Sequence, residues 1–163
     1  MAAGEIVGAA VGVLLLVIVA YILVGSTLST AEIVASAQKD LTIQNEARLR
    51  TNIVIPNKSL EADAINFSVQ NTGNEMISDF THMDILSSDS VTGGTFQYYT
   101  YDSTKAGIPG TWYINRFDPA DNIHPNILDP GETIWCIAKF SGNTPKWLQV
   151  TTANGVYASG YIP

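Results

Sequence analysis

The sequence predicts an α+β protein, in which a long N-terminal hydrophobic α-helix is followed by an antiparallel, immunoglobulin-like β-sandwich. Only 14% of its 163 residues are charged, against roughly a quarter in soluble domains. Residues 6–31 contain no Asp, Glu, Lys or Arg. From Arg50 onward, short alternating apolar runs separated by turn residues replace the helical pattern. We therefore divide the chain into residues 1–49, a hydrophobic helix with a polar helical extension, and residues 50–163, a β-sandwich.

The apolar part of the predicted helix extends from Ile6 to Val24, and its residues are almost all aliphatic or small. These 19 residues are long enough to cross a ~30 Å hydrocarbon layer at ~1.5 Å per residue. A cleaved secretory signal would begin with basic residues, whereas this sequence begins Met-Ala-Ala-Gly-Glu. The pattern favours a membrane anchor or a helix covered by other proteins, and it disfavours a freely soluble enzyme.

Two features of the apolar helix predict contacts with other helices. Gly4, Gly8 and Gly12 recur at every fourth position, so they share one face and allow close helix packing. Glycine is also generally frequent in membrane helices, which is the alternative explanation. Glu5 has two interpretations. It is a solvated residue of the first helical turn, favoured there by the helix dipole, or it pairs with a positive group such as a neighbouring subunit's N-terminal amine. The second applies if the helix is buried, because a buried unpaired charge is costly.

The polar extension is also predicted to be helical, because residues 31–49 contain no Pro or Gly. The dipeptide Gly25-Ser26 is the expected kink. By the positive-inside rule, Lys39, Arg48 and Arg50 formally place the C-terminal domain in the cytoplasm. Lys39 is 15 residues beyond Val24, at the limit of that rule, and removal of a basic leader before residue 1 would reverse the orientation.

Eight short strands with turn residues between them predict the sandwich. Residues 64–70 alternate most clearly, with Ile65, Phe67 and Val69 on one face. The aromatic residues expected to contribute most to the core are Phe67, Phe96, Trp112, Trp135 and Trp147. The predicted strands are 52–55, 64–70, 83–86, 95–101, 111–117, 133–140, 147–152 and 157–161.

The charge of the chain excludes some partners. The net charge is −7, of which −5 belongs to the residues from Arg50 onward. Nucleic acids and anionic lipid surfaces both require clustered Lys and Arg. The sequence therefore predicts no nucleic-acid partner.

No pattern of catalytic residues is present, so the sequence predicts a protein that is not an enzyme and that has no cofactor. His82 and His124 are isolated from other metal ligands. Asp118 and Asp121 are weak candidates for a cation site, since their Asp-Pro turn lacks the Gly and distal Glu of a calcium loop. The single cysteine, Cys136, is expected to be a buried apolar filler.

Two further patterns lie in the β region. Asn57 and Asn66 begin glycosylation sequons, which would matter if the domain is exported. In the run around Tyr98, alternation places Tyr99 and Tyr101 on one strand face. These tyrosines are expected to pack in the core or on the surface, with a contact between subunits as the alternative.

The apolar helix with Glu5, its polar extension and the following sandwich resemble the type IV pilin superfamily. Within it, the sandwich resembles the archaeal flagellar (archaellum) proteins, both archaellins and the accessory FlaF and FlaG types. The runs that carry this resemblance are VQNTG at 69–73, LDPGET at 128–133 and VTTANGV at 150–156.

The resemblance implies a structural subunit of an archaellum or related pilin-like filament, with the helices as the filament core and an extracellular sandwich displayed outside. Glu5 would then pair with a neighbour's N-terminal amine if Met1 is the mature first residue. The partners would be other copies or homologous subunits, the membrane before assembly, and the cell envelope or S-layer as a further candidate.

Two alternatives remain open. The first is a membrane-anchored FlaF/FlaG-type accessory protein, acting as a stator or anchor of the archaellum. The second is a membrane-tethered module for a carbohydrate or an ion, supported only by the tyrosines and by Asp118 and Asp121. A role in motility rests on the resemblance alone.

Overall fold

A computed structural model describes residues 2–90, 94–120 and 124–163. These residues form one helix, α1 (Ala2–Arg50), and nine strands. The fold is therefore α+β, as predicted. The strands are β1 (Ile53–Val54), β2 (Lys58–Glu61), β3 (Ala64–Asn71), β4 (Asp84–Ser88), β5 (Phe96–Tyr101), β6 (Thr111–Asp118), β7 (Thr133–Lys139), β8 (Trp147–Thr151) and β9 (Tyr157–Tyr161).

Each of the eight predicted strands overlaps an observed one, and β2 was not predicted. It pairs with β3 antiparallel, Ser59 opposite Asn66. Its sequence, KSLE, contains a single apolar residue, so it shows no alternating apolar pattern. The strand forms because β3 offers a free hydrogen-bonding edge at this point.

The helix α1 is a single element of 49 residues, unbroken at Gly25-Ser26. Just beyond that dipeptide, the hydroxyls of Thr27 and Thr30 donate to the carbonyls of Val24 and Ser26, both at 2.9 Å. These bonds satisfy polar groups within an apolar stretch. The chain divides into two compact units, the residues up to Gln44 and the residues Asn45–Pro163.

The strands form a nearly closed sandwich in the order β1-β3-β7-β6-β5-β4-β8-β9, with β2 attached to β3. The pairs are antiparallel except for β5 and β6, which run parallel at Thr100–Thr111 and Tyr101–Trp112. That parallel pair departs from the all-antiparallel expectation. Residues 102–110 leave the end of β5 and enter β6 beside Thr100, so the two strands run in the same direction where they pair.

Alternation along the strands builds the core. Phe67 and Trp112 are fully buried, as predicted, and Cys136 is buried as well. Trp135 and Trp147 are half-buried. The prediction for Phe96 is wrong, because its side chain is 63% exposed. Its neighbours in β5 explain the error: Tyr99 faces inward and is fully buried, so the strand period of two turns Phe96 outward.

Candidate functional site

The glycine face of α1 is open in the structure. Gly4, Gly8 and Gly12 are exposed, and a methyl group added at any of them would meet nothing within 4 Å beyond the adjoining residues and backbone of its own helix. Glu5 lies in the first helical turn and is also exposed. The roles predicted for these residues in helix packing and in pairing with a neighbour's amine remain predictions.

Residues 6–24 of α1 are apolar on every side. Its most apolar window has a mean hydropathy of 2.9, and by length and composition it is the one helix among the described residues that could cross a membrane. All described side chains from Gly4 to Gln44 are exposed. A helix that is apolar all round requires a lipid or protein environment, and the described part of the chain does not provide one.

Within the second unit, the first and second sequence runs of the resemblance meet around Asn71. Its side-chain amide donates to the carbonyls of Glu75 (2.7 Å) and Leu128 (3.1 Å), and its Oδ1 accepts from the Gly73 amide at 3.0 Å. The Gly131 amide donates to the Asn71 carbonyl at 2.8 Å. Asn71 is fully buried, and this set of partners offsets the cost of burying its polar groups.

The turn after Asn71 forms hydrogen bonds with the last residue of α1 and with the segment that follows the helix. The Asn74 amide donates to the Arg50 carbonyl at 2.8 Å, and the Gly73 amide donates to the Asn52 carbonyl at 3.0 Å. A Cβ at Gly73 would overlap the Arg50 oxygen and the Asn52 nitrogen. Both are backbone atoms, so only glycine fits without moving the main chain.

The third run, 150–156, reaches the same place. The Asn154 side-chain amide donates to Thr51 Oγ1 at 2.6 Å, while the Thr51 hydroxyl donates to the Ala47 carbonyl at 2.8 Å. Thr152 Oγ1 bonds Asn154 Oδ1 at 2.6 Å. The turn that ends the first run and the third run therefore both contact residues 47–52, which we call the helix exit, and the second run is joined to this place through Asn71.

The residue types in these runs do not predict that the runs converge. Their Asn, Thr and Gly residues at strand ends are typical of turns, and that signal marks turns without showing which of them are neighbours. Ion pairs at the helix exit are exposed and long, with Arg50 at 3.6 Å from Glu46 and 3.7 Å from Glu75. The hydrogen bonds, rather than these ion pairs, hold the helix exit.

The two predicted glycosylation sites lie in different environments. Asn57 is exposed, although its amide nitrogen donates to Ser68 Oγ at 3.1 Å. Asn66 lies in the middle of β3 in a groove of about 390 Å³, and its Oδ1 is buried. Arg116 covers the Trp135 ring in this groove, 5.0 Å from its centroid. Glycosylation of either residue stays a prediction.

Of the two candidate cation ligands, the structure describes Asp118. Asp118 is exposed at the end of β6, and Asp121 lies outside the described residues. Among the residues that the structure describes, no group of three His, Cys, Asp or Glu side chains could hold a metal ion. His82 and His124 instead contact single carboxylates, those of Asp79 at 2.7 Å and Asp129 at 2.8 Å.

No protein-family model and no curated protein sequence matches this chain. Among solved structures, it is similar to the archaellum periplasmic stator protein FlaG from Sulfolobus acidocaldarius, with 20% identity over 69% of this chain and 99% of that one and a TM-score of 0.51. The archaellum periplasmic stator protein complex of FlaF and FlaG from the same organism also matches, with 19% identity over 68% and 87% and a TM-score of 0.48.

These observations define a class of protein: an apolar helix of membrane-spanning length followed by a β-sandwich with the fold of an archaellum stator protein. The predicted resemblance to FlaF/FlaG-type proteins is thereby confirmed at the level of the fold.

Proposed function

We propose that this chain is a membrane-anchored accessory protein of the archaellum, of the FlaF/FlaG stator type. Its β-sandwich, residues 50–163, which we call the β domain, would lie on the outer side of the membrane. One observation carries the proposal: a helix apolar enough to span a membrane continues into a β domain that shares the fold of the stator protein FlaG. We therefore prefer the accessory role to the filament subunit, which was the first hypothesis from the sequence.

The helix exit suits an anchor. A stator has to resist force, and a force on the anchor would enter the β domain through the chain at Arg50 and Thr51. Hydrogen bonds from Asn74 and Asn154 hold these two residues, and Asn71 braces the turn behind them. The load would therefore pass into the buried strands β3 and β7 rather than into a free linker.

The charge of the β domain supports a position away from the lipid surface. The residues from Arg50 onward carry a net charge of −5, so an anionic membrane surface repels them. The domain would remain free to contact other proteins or the cell envelope. Its partners in this role would be archaellum components or related envelope proteins.

Mechanical shearing of native cells tests the proposal. Sheared filaments and washed membranes are collected separately, and the chain is quantified in each by mass spectrometry. An accessory anchor stays in the membrane fraction and is absent from the filaments. Recovery as a repeating component of the sheared filaments would reject the accessory role and support the filament subunit.

The filament subunit is retained as a second candidate because of the open glycine face and Glu5. If the helices pack on this face, Gly8→Leu should abolish filaments, since the leucine side chain would hold neighbouring backbones apart. Ala10→Leu is the matched control, because residue 10 lies on the opposite side of the helix. Normal filaments in cells carrying Gly8→Leu would eliminate this candidate.

A further inference from the structure

Five aromatic side chains lie together on the outer face of the sheet formed by β9, β8, β4 and β5. We call this surface the aromatic face. Tyr157 (65%), Phe96 (63%), Tyr161 (61%) and Tyr98 (49%) are strongly exposed, and Trp147 is half-buried. Large aromatic side chains grouped on a surface usually mark a binding site.

The strand register sets three positions of this face in one row. Tyr161 of β9 pairs with Trp147 of β8, which pairs with Ser88 of β4, and Ser88 pairs with Phe96 of β5. The rings of Phe96 and Trp147 meet edge to face, 6.3 Å between centroids at 87°. Ser88 lies beneath them and is 2% exposed, so its small side chain leaves the space in which the rings meet.

The other outward positions of these strands are mostly neutral and hydrogen-bonding. Thr100, Gln149, Thr151 and Ser159 supply hydroxyls and an amide. Asp84 is the single charged residue among the described outward positions, and it accepts a hydrogen bond from the Tyr98 hydroxyl at 3.2 Å. In a chain with a net charge of −7, this face is close to neutral.

An open depression of about 250 Å³ adjoins the row at Phe96. Gln97, Ser141 and Asn143 contribute amides and a hydroxyl to its lining. The Asp89 carboxylate also lines it and accepts a hydrogen bond from the Asn143 amide at 2.7 Å. The bonds between Gln97 and Ser141 are both 3.3 Å, slightly longer than the usual range for such hydrogen bonds. The row of rings therefore ends beside a polar recess.

The size of the face argues against a second copy of the chain as its occupant. Four strands at ~4.8 Å spacing and five residues at ~3.4 Å give an area of a few hundred Å². A stable protein complex buries about 800 Å² on each partner. A narrow polymer that lies along the row needs no such area.

We propose that the aromatic face binds a neutral glycan, whose apolar ring faces stack on Trp147, Tyr161 and Phe96 and whose hydroxyls bond the neutral side chains around them. Polyanions are excluded because the face offers no Lys or Arg among its described outward positions and the chain is acidic. The inference goes beyond the proposed function and does not rest on it.

The test uses the full chain in phosphatidylcholine nanodiscs, since glycoside detergents would compete for the face. Dextran, mannan and pullulan serve as neutral probes and alginate as the polyanion, and binding is measured by calorimetry. At least one neutral polymer should bind, and Tyr161→Ala and Trp147→Ala should each weaken binding by up to about tenfold, the effect of losing one aromatic contact. Ile108→Ala, which removes an exposed apolar side chain outside the face, should leave binding unchanged.

Failure of all three neutral polymers to bind would overturn the proposal, as would equal binding by the aromatic variants or a preference for alginate. Self-association that Tyr161→Ala abolishes, without glycan binding, would also overturn it and identify a second copy as the occupant. Because Tyr161 is largely exposed, its variant tests the proposal even if Trp147→Ala does not fold. None of these results bears on whether the chain partitions with membranes or filaments.

Discussion

The two units of the chain differ in whether their apolar side chains are buried within the chain. In the β domain, alternation gives an interior, with Ile65, Phe67 and Val69 fully buried. In the helix up to Gln44, every described side chain from Gly4 onward is exposed, although the most apolar window has a mean hydropathy of 2.9. The β domain thus contains its own core, whereas the helix depends on lipid or protein outside the chain. Mutations in the helix should therefore reduce membrane insertion, and mutations in the β domain should reduce the free energy of unfolding.

The largest effect is expected from charges placed in the helix. Leu15→Arg combined with Ile18→Arg should disfavour membrane insertion by about 5 to 6 kcal/mol, since each Arg near the centre of a span costs about 3 kcal/mol. Retention of the full chain in alkali-washed membranes measures this. The matched Leu15→Ala and Ile18→Ala pair should be retained, and so should the wild type. Equal retention of the arginine variant would show that the helix is covered by something other than lipid.

A comparison of two phenylalanines tests the β domain. Phe67→Ala should reduce the free energy of unfolding by about 3 to 5 kcal/mol because it empties a fully buried site. Phe96→Ala should cost less than about 1 kcal/mol, since this side chain is mostly exposed and loses one ring contact. Urea unfolding followed by tryptophan fluorescence measures both. Neither variant should leave the membrane fraction, and equal losses would contradict the assignment of faces in β5.

The helix exit is tested by two glycines. Gly73→Ala should destabilise the β domain by about 1 to 3 kcal/mol, because the new methyl overlaps backbone atoms of Arg50 and Asn52. Gly160→Ala is the control, since its methyl would meet only the flexible end of Lys58. Thermal unfolding in nanodiscs compares them. If the two variants have the same midpoint, close packing at the helix exit is not what requires glycine at position 73.

The smallest effect is expected from acid. The Thr104 hydroxyl and nearby backbone amides hold the pKa of Asp102 below its ordinary value, and the Asn143 amide does the same for the pKa of Asp89. Carboxyls with lowered pKa values stabilise the fold above their unfolded pKa, about 3.9, and lose that contribution as the pH falls through the folded pKa. The unfolding midpoint should therefore be flat near neutrality and decline slightly below pH ~4.

Asp102→Asn provides the control for the acid effect. It removes one titrating group, so its midpoint should depend less on pH than that of the wild type. A decline that begins near neutral pH would implicate other groups.

A continuous apolar run followed by residues without Pro or Gly was sufficient to predict the helix, and alternation was sufficient to predict eight strands, because each of these segments carries its own pattern. Alternation could not predict β2, whose KSLE sequence has one apolar residue. It also misplaced Phe96, because the period of a strand identifies two faces without saying which one is buried. The position of Tyr99 in the core decides that question, and it depends on strands distant in sequence.

In the candidate site too, local patterns could be recognised from the sequence, whereas contacts between distant residues could not. Gly4, Gly8 and Gly12 could be recognised from their spacing alone, since helix geometry is local. The contacts of Gly73, Asn74 and Asn154 with the helix exit could not be recognised in this way, because they depend on the order of the strands in the sheet. The aromatic face likewise depends on the register of four strands, two of which are separated by a long stretch of sequence.

The most direct test of the central claim is the side of the membrane on which the β domain lies. Lys105 and Lys146 are exposed in the β domain, and a membrane-impermeant amine reagent can label them in native cells stripped of their surface layer. We expect the same labelling before and after the membrane is permeabilised, with the labelled chain remaining in the membrane fraction. Labelling of both lysines only after permeabilisation would place the β domain in the cytoplasm, as the positive-inside rule formally predicts, and would contradict the proposed function.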